Sequence, residues 1–457
     1  MVAPDYDVIV AGSGPAGSTA ATLLAQQNHR VLIIDRGQHP RFHIGESMLP
    51  LSTPVFDRMG ITWNKQHYLH KNGAEFIDEN TGKQVRFCLN GQYQPYQVER
   101  APFDHMLVNN AVHHGARLQQ QESVKAVDID ADGVRVTTDR GEYTSRYLID
   151  ATGRSTFMGR KQAGIERIEN LGRFALYTHY RETKSEAARA MYVSGDIKVL
   201  MVDIGWIWII PLIDNRLSIG LVVQQSIDKS QRGAALYEQY VKASPFLTEL
   251  LAGAEQETEV RAEADFSFSN SQRHGLRYAC CGDAAGFLDP IFSSGVFLAV
   301  TSAEKVADRL HTALAAGTEG DPLLHAIDDD HYNLAFRSMQ LFVERYYQYD
   351  MVNHLFFEAD RSDEIKNDIA ALLRQLFKTR LVHIADKPNA DGSLPRTTRQ
   401  GHEQSAGSKE RNETQTTQIQ FSQGLRSYRS RDSRATSGPC HCTNTTSIFR
   451  RITKPSF

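Results

Sequence analysis

The 457-residue sequence has no apolar stretch approaching the ~18 residues that a membrane-spanning helix needs. No membrane span is therefore expected. Only five cysteines are present, Cys88, Cys280, Cys281, Cys440 and Cys442, and their spacing forms no framework. A disulfide-stapled secreted scaffold is excluded on that count. The chain runs almost at once into an apolar strand pattern, so no secretory leader is expected and a reducing cytoplasm is the expected compartment. His67, His70, His113 and His114 have no partners at metal-ligand spacing, so no metal is expected. Nor is a nucleic-acid partner. Tryptophan is scarcer still, with three residues in the whole chain.

Two of those three stand together, in Gly205-Trp206-Ile207-Trp208-Ile209-Ile210-Pro211-Leu212. In a strand, residues i and i+2 point to one face. Trp206 and Trp208 would then form a flat aromatic wall closed off by the rigid Pro211. The competing reading is an ordinary buried strand, since Trp and Ile are good strand formers.

The N-terminal segment is more specific. Asp5-Tyr6-Asp7-Val8-Ile9-Val10-Ala11 reads as a short buried strand, and Gly12-Ser13-Gly14-Pro15-Ala16-Gly17 follows with G-x-G-x-x-G spacing. A helical pattern comes next, and then a second apolar strand, Val31-Leu32-Ile33-Ile34, ending in Asp35. Gly12 suits the tight turn, Gly14 the approach of a pyrophosphate, and Gly17 the close packing of helix on strand. The helix N-terminus offers N–H donors to the phosphates. Asp35 can accept from a ribose hydroxyl. A βαβ unit that binds nothing is the alternative. The spacing occurs once, so a second unit for NAD(P)H is not expected.

Two later strand-to-turn segments complete a pattern, Tyr147-Leu148-Ile149-Asp150-Ala151-Thr152-Gly153-Arg154 and Tyr278-Ala279-Cys280-Cys281-Gly282-Asp283-Ala284-Ala285-Gly286. With the first motif they resemble the FAD-binding fold of the flavoprotein hydroxylase and halogenase superfamily. Arg41-Phe42-His43-Ile44-Gly45-Glu46-Ser47-Met48-Leu49-Pro50 is similar to the flavin-contacting loop of flavin-dependent halogenases. Trp206-Ile207-Trp208-Ile209-Ile210-Pro211 matches their W-x-W-x-I-P signature. Asp289-Pro290-Ile291-Phe292-Ser293-Ser294-Gly295-Val296 resembles their halide-binding turn, and Lys71-Asn72-Gly73-Ala74 the segment of their catalytic lysine. The matches run from the first strand to about residue 310.

The resemblance implies an α/β fold in which a Rossmann-like FAD-binding domain of the glutathione-reductase type is interleaved with a strand-rich substrate domain. It also implies a chemistry. Reduced FAD, supplied by a separate flavin reductase, reacts with O2 to a C4a-hydroperoxide. Chloride or bromide attacks this species, and the hypohalous acid travels to a lysine beside an aromatic substrate. The implied cofactor-binding residues are Gly12, Ser13, Gly14, Ala16, Gly17, Asp35, Arg41, Ser47, Arg100, Asp283 and Val296. Ser294 and Gly295 are the implied halide ligands, at the start of a helix whose apolar stripe is Val296, Val300, Ala303, Ala307, Leu310 and Leu314. Against that stands a plain serine cap. Trp206, Trp208 and Pro211 would separate flavin from substrate. Lys71 is the implied catalytic residue, because a desolvated amine loses its proton readily. Lys65 competes with it. Arg100 competes with a surface arginine, and Pro40-Arg41 with a simple turn. Glu46 and Asp289 are candidate polar contacts to the flavin or the halide path.

One departure bears on the substrate. Halogenases acting on free tryptophan carry a glutamate two residues before the halide-binding residue, where this chain has Phe292. The resemblance is therefore nearer the branch acting on phenols, pyrroles and aryl acyl groups, free or bound to a carrier protein. Phe297, where a histidine is expected in that branch, departs from it again. A flavin monooxygenase or a geranylgeranyl-reductase-like oxidoreductase on the same fold remains the alternative. A flavin-binding partner without catalysis is a third.

The expected organisation is FAD-binding segments at 1–60, 98–165 and 270–318, a substrate sheet from 61–97 and 166–269, and a helical region at 319–387. Phe336, Met339, Val343 and Tyr346 lie at helical spacing there, with Tyr347, Met351 and Leu355 on a neighbouring stripe. Residues 388–457 are expected to be a disordered tail. From 396 on it carries eleven Lys and Arg against four Asp and Glu and almost no aliphatic runs. Cys440-His441-Cys442 lacks a second ligand pair for zinc.

Overall fold

The first two strands predicted from the sequence, Tyr6–Ala11 and Val31–Asp35, form a parallel pair, and Val8, Ile9, Val10, Leu32 and Ile33 are fully buried. Strands apolar on both faces need cover on both, as parallel sheets do. One face packs Val8, Val10, Val31, Ile33, Tyr147 and Ile149 against three helices, α1 (Pro15–Gln26), α2 (Arg100–His113) and α3 (Gly295–Ala316). The other packs Ile9, Leu32, Ile34 and Leu148 against Val127, Val134 and Val136 of an antiparallel hairpin. The computed structural model describes residues 3–348 except 65, 90–91, 169–170, 172, 225–226, 228–232 and 265–266. Expectations about Lys65, Met351, Leu355 and the basic tail fall outside the described residues.

The strand order of this sheet is His274–Gly275, Tyr278–Cys280, Glu142–Asp150, Tyr6–Ala11, Val31–Asp35, Arg117–Gln120. Its neighbours pair in parallel from Tyr278–Cys280 onward. The carboxyl ends of the central strands therefore lie together, with Ala11, Asp35, Asp150 and Cys280 at one edge. That is where an open α/β sheet places its ligand.

A second sheet is built in the order Glu255–Gln256, Arg173–Arg181, Arg216–Gln224, Gly205–Leu212, Ile197–Val202, Gly73–Asp78, Lys83–Cys88. All its neighbours pair antiparallel except Ile197–Val202 with Gly73–Asp78. The alternation along Gly205–Leu212 sorts side chains by face. Ile207 and Ile209 pack with Met191, Tyr237 and Leu247 from the helices behind the sheet. Trp206, Trp208 and Ile210 face the other way, toward Leu288, Ile291, Phe297 and helix α4 (Ala326–Gln348). The predicted stripe Phe336, Met339, Val343 and Tyr346 supplies the α4 side of that core. Among the described residues no helix is long and apolar enough to cross a membrane.

Candidate active site

Three glycines of the first turn have different surroundings. Gly12 takes φ +103°, and a Cβ there would stand 2.3 Å from the Ala151 carbonyl oxygen. At Gly17 a Cβ would strike the Gly12 carbonyl oxygen at 1.9 Å, so these two let chain pass against chain. At Gly14 nothing lies within 4 Å. The N-terminus of α1 begins there with Pro15 and has no side-chain cap, so its first N–H groups face that open space unpaired. Asp35 closes the turn from below. It accepts from Ser13 N at 2.7 Å, Ser13 Oγ at 2.6 Å and Gly37 N at 2.7 Å. Burial pushes its carboxyl up, but these bonds and the Arg41 guanidinium, 3.7 Å away, hold it below the ordinary carboxylate value. His39 Nε2 lies 2.7 Å from Ser13 Oγ.

The loop 41–50 crosses beside this edge. Ser47 forms a bridge with Gln97, and its buried hydroxyl has no hydrogen-bond partner. Arg100 is buried, not a surface arginine. Its guanidinium donates to both Asp104 oxygens at 2.8 and 3.0 Å, and to the carbonyls of Ile44 and Gly45 at 2.9 and 3.2 Å. Its donors thus shape the loop. Glu46 meets His179 Nε2 at 2.8 Å, while its second oxygen is buried without a partner. Burial lowers the His179 imidazole, yet the Glu46 carboxylate outweighs this and raises it above its ordinary value. Asp283 is half-buried, pushed up to about 6 by desolvation against the charges of Arg154 and Arg100.

Trp206 and Trp208 do share one face, both buried. They are not a flat wall, however. Their ring centroids are 6.1 Å apart and the planes are inclined at 55°. The tilt follows from different anchors: Trp206 Nε1 donates to the Tyr347 hydroxyl at 2.7 Å, and Trp208 Nε1 to Ser218 Oγ at 3.2 Å. Tyr177 extends the aromatic surface, 5.9 Å from Trp208. Pro211 lies in the same strand opposite Leu217.

Lys71 is only 3% exposed. Its Nζ donates to the Met48 carbonyl at 3.1 Å, and its backbone N–H donates to Pro95 O at 2.9 Å. Burial pushes the ammonium down to about 7 against the attraction of Asp196. That carboxylate is itself held by Arg86 at 2.5 Å. The solvated-charge reading of Lys71 is thereby set aside.

The turn before α3 is a single 3-10 turn, Pro290–Phe292. Asp289 caps it by accepting from Ile291 N at 2.9 Å. Ser293 takes the left-handed conformation at φ +55°, and Ser294 occupies the N-cap of α3 with 3% exposure. The Ser294 side chain makes no capping hydrogen bond, so the plain-cap reading does not describe it. The first amides of α3 stay available at the positive end of the helix dipole. Val296 is buried among α1, α2 and α3 residues.

Sequence reasoning missed three participants. His179, Arg173 and Ser218 sit in strands with no motif around them, and nothing local marks them. Cys280 and Cys281 are buried free thiols whose burial raises them far from reactivity. Among the described residues no group of three or more His, Cys, Asp or Glu is arranged to hold a metal.

Residues 81–427 match the tryptophan halogenase family, and residues 10–78 an NAD(P)-binding Rossmann-like domain. A tryptophan 2-halogenase of Chondromyces crocatus is 30% identical over 326 residues, 67% of this chain and 61% of that protein. This chain thus spans about three fifths of that relative's length. The 1H-pyrrole-2-carbonyl-(peptidyl-carrier protein) chlorinase of Pseudomonas fluorescens is 28% identical, with 65% of this chain and 74% of that one covered. Among solved structures, the myxobacterial chondrochloren halogenase CndH superposes with a TM-score of 0.68 at 28% identity, covering 83% of this chain and 91% of that one. The flavin-dependent brominase Bmp2 superposes at 0.71 and 25% identity, with coverages of 82% and 94%.

Proposed function

Because the chain belongs to the tryptophan halogenase family, we propose that it is an FAD-dependent halogenase. It would take reduced FAD from a separate reductase, use O2 and chloride or bromide, and halogenate an electron-rich aromatic ring. The observation that carries this reading is Lys71: buried, hydrogen-bonded to Met48 O, and pushed down to about 7 by burial. A lysine whose ammonium is disfavoured by burial yields its neutral amine more readily and can act as a nucleophile.

The residues present fit FAD. No atom lies within 4 Å of a Cβ position at Gly14 or Gly153, so a pyrophosphate and a ribityl chain have backbone to approach. The unpartnered Ser47 hydroxyl and the half-buried Asp283 carboxyl are suited to flavin and polyol groups. Gly12, Ser13, Ala16, Gly17 and Asp35 would shape the phosphate turn, with Arg41 beside it. Arg100 would act by holding the loop at Ile44 and Gly45, and Val296 would lie near the ring system. When bound, reduced FAD with oxygen supplies the oxidising equivalent that turns halide into hypohalous acid.

The chain's own groups would do the rest. The amides of Ser294 and Gly295, together with the Ser294 hydroxyl, hold the halide. Trp206 and Trp208 keep the organic substrate from the cofactor and exclude water, which protects a reactive oxidant. The neutral Lys71 amine meets hypohalous acid, either by hydrogen bonding or by forming an N–halogen bond with loss of water. The halogen then passes to a ring carbon, which loses its proton, and the amine N–H is restored. Two relatives are named as halogenases of pyrrolyl groups on a carrier protein, which supports an aryl substrate of that kind, free or carrier-bound.

The test supplies chemically reduced FAD, oxygen and bromide with monochlorodimedone as a trap. Bromide-dependent halogenation supports the reading. Peroxide without halide dependence, or NADPH oxidation by the protein alone, points to the monooxygenase or reductase alternative.

A further inference from the structure

Tyr347 of α4 connects two parts of the site that no shared strand or loop joins. Its hydroxyl accepts from Trp206 Nε1 at 2.7 Å and lies 3.1 and 3.2 Å from the two carboxylate oxygens of Asp289. The guanidinium of Arg173 sits 3.8 Å from the centre of the Tyr347 ring. The preceding residue, Tyr346, packs edge-on against Phe292 with centroids 5.8 Å apart, and its hydroxyl meets Met201 Sδ at 3.2 Å. Successive helix residues point about 100° apart. Two adjacent tyrosines gripping the segment 289–292 thus define both the position and the rotation of this end of α4 over the turn.

Asp289 is the residue on which these contacts converge. One of its oxygens also accepts the Ile291 N–H that shapes the turn, five residues before Ser294. A buried carboxylate beside an anion site repels the anion unless its charge is neutralised and its direction held. Burial pushes Asp289 up to about 6, against the Ile291 N–H, the Arg173 charge and the Tyr347 hydroxyl, which all favour its charged form. Tyr346 also faces it.

We propose that Tyr347 is a positioning residue for the halide: by tying the Asp289 carboxylate to Trp206, it keeps the turn in the shape that presents the Ser294 and Gly295 amides. The proposal rests on the halide-site reading above. It assigns α4 a part in halide binding, in addition to covering the tryptophans.

The experiment uses the full chain and Tyr347→Phe, which keeps the ring over Arg173 and removes only the hydroxyl. Bromide affinity is read without turnover, from bromide quenching of the intrinsic tryptophan fluorescence. It is read again as the bromide KM in the trap assay. Loss of one charge-assisted hydrogen bond should weaken bromide about ten-fold in both readouts, with kcat at saturating bromide and the KM for the trap changed far less. Asp289→Asn placed in the Tyr347→Phe background should recover part of the affinity, because the loosened group is then uncharged. Unchanged bromide affinity in Tyr347→Phe, or a fall in kcat with bromide KM unaltered, overturns the proposal. Wild-type protein that neither responds to bromide nor halogenates the trap overturns the halide-site reading itself.

Discussion

Gly220 stands directly across the sheet from Trp208, and a Cβ on it would fall 2.1 Å from Cζ2 of the indole. The ring lies flat over a position where only hydrogen fits, and Ser218 in the same strand takes its Nε1–H. Gly220→Ala should therefore drive Trp208 from its place. Overpacking of this kind costs about 1–3 kcal/mol, visible as a lower midpoint in urea. If the indole separates cofactor from substrate, less of the oxidant should end in halogenated product and more as peroxide. An unaltered product-to-peroxide ratio would deny Trp208 that part.

Lys71 couples activity to stability. Its folded value of about 7 lies below the ordinary lysine value of 10.5. Between those two values the unfolded chain binds a proton that the folded one has released, so stability rises with pH across that window. Lys71→Met should flatten this rise and stabilise the fold at pH 7, while lowering halogenation of a bound aryl substrate at least ~100-fold. Denaturation at several pH values and halogenation of a bound aryl substrate check the two halves separately. A Lys71→Ala protein that halogenates bound substrate at the wild-type rate would remove the lysine from the reaction.

Ser294 offers a cleaner separation. Replacing a capping serine by alanine commonly costs about 1 kcal/mol, but Ser294 makes no capping bond. Ser294→Ala should leave the unfolding midpoint nearly unchanged and raise the bromide KM several-fold. A large loss of stability with normal bromide dependence would make Ser294 a structural residue after all.

The Glu46–His179 pair predicts a pH effect of opposite sign. The folded imidazole titrates above its ordinary 6.5 because of the carboxylate 2.8 Å away. Its contribution is fully present below pH 6.5 and is lost as pH rises through the folded value. Thermal melts from pH 5.5 to 8 should show that decline in the wild type and not in His179→Gln. Because Glu46 lies between Gly45 and Ser47, the same variant should weaken FAD, measured by fluorescence on titration of the apoprotein.

The amino-acid sequence by itself determined the cofactor half of this protein. Strand, glycine turn, helix and terminal acid follow one another within the first 35 residues, and each rests on local periodicity or on backbone space beside a glycine. The strand leading to Asp150 and the α3 stripe were legible for the same reason. The tertiary structure alone decided what surrounds the reacting groups. The sequence singles out Lys71 by resemblance, but its burial and its bond to the Met48 carbonyl come from the 48 and 95–96 segments that close over it. The two tryptophans read as coplanar along their strand, yet Ser218 and Tyr347, on other elements, draw their planes 55° apart. Arg100 reads along the chain as either a cofactor contact or a surface arginine, and only the fold shows it buried and bonded to Asp104 and to the carbonyls of Ile44 and Gly45. His179 meets Glu46 across 133 positions of sequence, and Tyr347 meets Asp289 across 58. Such pairings depend on how sheets and helices pack, and no local pattern carries that information.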